Sequence, residues 1–136
     1  MAANGKRDLV RDAGFRPDQV TQDDLQRLLE RQREVGERVQ QVPGRLRKLR
    51  NQITLLFEMI KAYAKREYTN VPWWAIAMGV AAVAYFLTPA DLIPDFIPIV
   101  GYVDDAVVVG LAVKAIQEEL RRYTEAMGYD AAQYFD

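Results

Sequence analysis

From Tyr68 to Asp105 the chain reads YTNVPWWAIAMGVAAVAYFLTPADLIPDFIPIVGYVDD, and its first 23 residues, Tyr68 to Ala90, carry no formal charge. Pro72 and Pro89 bracket a helical piece, Trp73 to Thr88. Its 16 residues rise about 24 Å. A helix of about 20 residues is needed to cross the roughly 30 Å of bilayer hydrocarbon. The piece is rich in alanine, with Ile76, Val80, Val83, Phe86 and Leu87 as its strongly apolar members, so insertion by this segment alone is marginal. Two environments suit such a helix: lipid, or the middle of a bundle that covers it on every side.

Several neighbouring residues favour lipid. Trp73 and Trp74 stand at one end and Tyr85 and Phe86 near the other, as in an aromatic belt, and Lys61, Lys65 and Arg66 precede them, which would hold that side cytoplasmic. Trp73, Trp74, Lys65 and Arg66 are therefore the expected membrane-interface residues. Small pairs, Ala75/Gly79, Ala77/Ala81 and Ala106/Gly110, allow close helix approach, so the piece at 73–88 should pack tightly on a helix starting near Val103.

The segment between those two helices has its own logic. Thr88 can cap a short turn with Pro89 first and Asp91 third. Pro94 and Pro98 forbid a regular helix through 92–98, Gly101 permits a bend, and Asp104 and Asp105 suit the start of the last helix. Leu92, Ile93, Phe96, Ile97, Ile99 and Val100 are too apolar for a solvated loop and call for burial in protein or lipid. Asp91, Asp95, Asp104 and Asp105 could gather a hard cation through oxygen ligands, although capping explains them equally.

This stretch resembles the YkvA-like family, a bacterial domain-of-unknown-function group. The pattern is carried by Tyr85, Pro89, Asp91, Leu92, Ile93, Pro94, Asp95, Ile97, Pro98, Gly101, Asp104 and Asp105. The resemblance is strong over residues 85–116 and weaker back to residue 60. It implies a small helical domain, often regarded as membrane-associated. It implies no established activity and no catalytic residue.

On the N-terminal side, residues 1–20 read as a loose arm without the apolar core of a secretory signal. Thr21 is an N-cap, with Asp23 and Asp24 in the first turn of a helix expected to run to Gln41 and to stop at Pro43-Gly44. A second helix is expected over Arg45–Glu67, with a seam of Leu46, Leu49, Ile53, Leu56, Ile60 and Tyr63. Arg45, Arg47, Lys48 and Arg50 crowd its start, where the helix dipole disfavours cations, so they are candidates for an anionic partner. On the C-terminal side, a helix from Val103 to Met127 is apolar up to Lys114 and amphipathic beyond it, and Gly128 ends it. Tyr134 and Phe135 could dock on a neighbour.

Composition narrows the function. The 136 residues contain no cysteine, histidine or serine, which removes thiol, imidazole and serine catalysis. Residues 1–70 hold 15 Lys+Arg against 10 Asp+Glu, and residues 71–136 hold 3 against 9, so the net charge of −1 splits into +5 and −6. The expected architecture is all-α: a small bundle of about four helices with a tight apolar hairpin joined by a proline-rich turn. Residues 1–20 form the arm, 21–70 a basic helical hairpin, 71–128 the apolar helical domain and 129–136 a tail. The expected role is non-enzymatic, without a cofactor: the apolar hairpin is embedded in the bacterial inner membrane or re-entrant, the basic helices lie on its cytoplasmic face, lipid is the partner and a protein or second copy a further one. Nucleic acid is disfavoured by the pI of about 5.5. The alternative is a soluble, cytoplasmic helical-bundle adaptor in which the apolar hairpin is the core or an oligomer interface.

Overall fold

In the computed structural model, Trp73–Leu87 forms the helix that four others cover. The structure describes residues 19–87 and 105–135, with only the backbone for 105–109. The described elements are α1 (Gln22–Glu30), α2 (Gln32–Gln40), a 3-10 turn (Gly44–Leu46), α3 (Arg47–Ala64), α4 (Trp73–Leu87), α5 (Asp105–Ala115), α6 (Gln117–Met127) and a second 3-10 turn (Ala131–Gln133). No strand occurs among the described residues, so the fold is all-α.

The four expected helical segments are all present, and the first and last are each broken once. At Arg31 the backbone N–H turns to the Leu28 carbonyl at 2.9 Å, three residues back, which separates α1 from α2. At Ile116 the N–H is shared between the Ala112 and Val113 carbonyls, each at 3.2 Å, which separates α5 from α6. Uninterrupted helices over 21–41 and 103–127 are thus corrected. Ile116 is fully buried at the second break, where the sequence passes from apolar to amphipathic. The bend lets α5 lie along α4 while α6 turns onto α3.

Local signals set most helix ends. Thr21 closes a capping box: its Oγ1 accepts from the Asp24 N–H at 3.2 Å, and the Asp24 carboxylate accepts from the Thr21 N–H at 2.9 Å. Gly128 ends α6 in the left-handed region at φ 75°. The helix expected over 45–67 is α3, two residues shorter at its start, where Gly44–Leu46 tightens to 3-10, and three shorter at its end.

The core rests on α3 and α4. Ten of the fifteen α4 residues are buried, and α1, α2, α3 and α5 cover them. The α4–α5 contact is the most extensive helix pairing, as the small residues implied. Gly79, however, serves α3: a Cβ there would lie 2.7 Å from Leu56 Cδ1 and 3.3 Å from Ile60 Cδ1, and both side chains are fully buried. The α3 seam is also wider than expected. Leu55, Phe57 and Met59 are buried along with Ile53, Leu56 and Ile60, because α3 meets helices on more than one side.

Gly79→Val should therefore cost about 1–3 kcal/mol through overpacking against Leu56 and Ile60, read as a lowered midpoint in chemical denaturation. A stability equal to that of the parent would show that the two helices can part without penalty.

Candidate functional site

Three surfaces gather the polar chemistry of the described residues. The first is the connection between α3 and α4, which holds the four expected interface residues. Lys65 and Arg66 are exposed, and Trp73 and Trp74 are half-buried. Arg66 takes φ 62° and closes α3 with paired bonds: its N–H reaches the Tyr63 carbonyl at 3.0 Å, and the Glu67 N–H reaches Ala62 at 2.9 Å. The Trp73 ring lies 6.2 Å from that of Tyr63 across the connection. The structure thus brings cations and indoles to one end of the bundle, with the rings partly covered by protein.

The second surface was not foreseen. Glu58, half-buried on α3, accepts from the hydroxyls of Tyr123 and Tyr129, each at 2.7 Å. Tyr123 packs edge-on to Tyr68 at 5.0 Å and to Tyr129 at 6.4 Å, and Tyr129 stacks on Tyr134. The tail follows: Gln52 donates to the Tyr134 carbonyl at 2.6 Å, Asn51 to that of Gln133 at 3.1 Å, and Arg121 lies 4.8 Å over the Phe135 ring. The tail that carries Tyr134 and Phe135 thus docks on this chain's own α3 and α6. Nearby, Glu119 is buried and pairs with Arg122 at 3.0 Å. The Tyr68 hydroxyl is buried without a hydrogen-bond partner among the described residues.

The electrostatics here point one way. Burial, then the Glu58 carboxylate, pushes the Tyr123 hydroxyl well above the ordinary tyrosine value. Burial, then Glu119, raises Tyr68. The bond to Glu58 raises Tyr129. Tyr123 and Tyr129 suit structural donors held neutral, and Tyr68 is a neutral buried hydroxyl, since each resists losing its proton.

The third surface is the corner between α2 and α3. Arg38 donates from Nε to the Phe86 carbonyl at 3.2 Å, its guanidinium lying 5.6 Å over the Phe86 ring. A cation thereby meets a carbonyl in the last turn of α4, where the helix dipole favours it. Beside it lies an open apolar groove of about 140 Å³, lined by Val42, Pro43, Leu46, Leu49, Ile53 and Phe86. Arg45 and Arg47, next in sequence to the lining residue Leu46, are exposed, and Arg50, next to Leu49, is half-buried.

Of the expected family-motif positions, Tyr85 is half-buried in the last turn of α4, and Asp105 opens α5 with its side chain outside the described residues. Pro89, Asp91, Leu92, Ile93, Pro94, Asp95, Ile97, Pro98, Gly101 and Asp104 lie outside the described residues, so the cation candidates among them do too. Among the described residues no group of three carboxylates could hold a metal ion.

A small all-α protein built on a covered apolar helix is the class that this geometry defines. The family described as "Protein of unknown function (DUF1232)" matches residues 75–111, from α4 through the proline-rich segment into α5. A relative from Bacillus subtilis (strain 168), described as "Uncharacterized membrane protein YkvA", is 35% identical over 71 residues, covering 52% of this chain and 67% of the relative. The chain belongs to the YkvA-like DUF1232 family. No solved structure matches it.

Because the folded state keeps Tyr68, Tyr123 and Tyr129 protonated above the unfolded value of about 10, their stabilisation is full below that pH and is lost as pH rises past it. Denaturation across this range should show stability falling from about pH 10 upward, and Tyr123→Phe should flatten that fall. At neutral pH, Tyr123→Phe should cost about 1–3 kcal/mol for a bond to a charged acceptor, while Tyr68→Phe, which loses no bond, should cost nothing measurable.

Proposed function

We propose that the chain is a non-catalytic helical scaffold that works at a membrane surface, on the cytoplasmic face of the bacterial inner membrane. The observation that carries this reading is the similarity to the Bacillus relative described as a membrane protein. The fold supports attachment at the surface over passage through it. α4 has 15 residues, about 22 Å of rise, and its apolar faces are covered by other helices. No helix among the described residues is long and apolar enough to cross a membrane. The absence of histidine, cysteine and serine supports a scaffold over an enzyme. The cations before α4 and after Lys114 lie on both flanks of the apolar hairpin, the distribution favoured on the cytoplasmic side.

The covering of α4 also favours a second reading, an adaptor that needs no lipid because its apolar helix is its own core. Fractionation of the native host separates the two. The membrane reading expects the protein in the membrane pellet at low ionic strength and its release by concentrated salt without detergent. Recovery in the aqueous supernatant at low ionic strength favours the adaptor, and release by detergent alone overturns surface attachment.

A further inference from the structure

We infer that the corner between α2 and α3 is the docking surface for anionic lipid headgroups, with Arg45, Arg47 and Arg50 as the contacting cations. The inference rests on the membrane reading above and names the surface and the lipid class that would serve it. Residues 38–57 contain five cations and no carboxylate. The described ion pairs, Arg31–Glu34, Arg33–Glu37 and Arg122–Glu119, lie elsewhere, and none among the described residues joins Arg45, Arg47 or Arg50 to an acid. Arg47 and Arg50, three residues apart on α3, share a flank beside the Leu46, Leu49 and Ile53 stripe that lines the groove. The corner therefore carries these cations at positions adjoining the residues that line an open apolar cleft, with Pro43 exposed and Val42 and Leu46 half-buried. That pairing fits the boundary of a bilayer, where phosphates lie next to acyl chains. Charge complementarity selects the anionic class: clustered Lys and Arg near a surface gain affinity from phosphatidylglycerol-type lipids and lose it as salt screens them. Arginine adds forked donation to phosphate oxygens.

The test uses the full chain and vesicles of phosphatidylcholine, alone or with about one third phosphatidylglycerol, in flotation at low and high salt. The parent should float with the anionic vesicles at low salt and dissociate at high salt. R45E/R47E should weaken that binding by roughly 30-fold or more, at about 1 kcal/mol per lost cation before repulsion is added. R27E/R33E, an equal charge change at exposed positions on α1 and α2, should alter it far less. Circular dichroism of both variants checks that the fold is kept. Equal loss in both variants would show that net charge alone drives binding and would overturn the assignment. Binding to neutral vesicles as strong as to anionic ones would overturn it while leaving the membrane reading intact. No binding to either vesicle would count against the membrane reading itself. Tighter, R45E/R47E-sensitive binding to a short RNA than to vesicles would replace lipid with nucleic acid.

Discussion

The close crossing of α3 over α4 at Gly79 is the constraint on which the other contacts depend. With no Cβ at that position, Leu56 and Ile60 can sit against the α4 backbone. α1, α2 and α5 can then close over α4, which is apolar on nearly every side and has no face to give to water. An α4 left partly open would expose a continuous strip of Ile76, Val80, Val83 and Phe86, which water would not tolerate. The burial of this helix and the narrowness of one glycine are thus the same fact seen from two helices.

Polar contacts hold the ends of this arrangement. Arg38 binds a carbonyl in the last turn of α4, and Glu58 gathers two tyrosines from α6 and the segment after it. Each ties an amphipathic element to one of the two central helices. Their charges are spent inside the bundle, whereas Arg45, Arg47 and Arg50 make no such contact among the described residues, the contrast on which the proposed docking surface at the α2–α3 corner rests.

What the sequence reveals depends on how local the cause is. The Thr21–Asp24 capping box, the stop at Pro43-Gly44 and the left-handed Gly128 act within a few residues and are legible directly. The breaks at Arg31 and Ile116 carry no proline or glycine, so no local breaker marks them, and at Ile116 the bend sits on a fully buried side chain. The periodicity of α4 has no direction because burial on all sides erases it, so the choice between lipid and protein cover could not be read from its residues. The contacts of Arg38 with Phe86 and of Glu58 with Tyr123 join residues 48 and 65 positions apart, a separation at which no spacing rule applies. Trp73, Trp74, Lys65 and Arg66 were legible as neighbours because they flank one short connection.

The docked tail bears on the order in which the molecule assembles. Asn51 and Gln52 hold carbonyls 82 positions later in the chain. Closing so large a loop gains little until the intervening helices have already brought its ends together. The seating of Phe135 under Arg121 is therefore a late event in folding. By the same reasoning it is an early one in unfolding, so the tail can detach as a small local opening while the crossing of α3 and α4 stays shut.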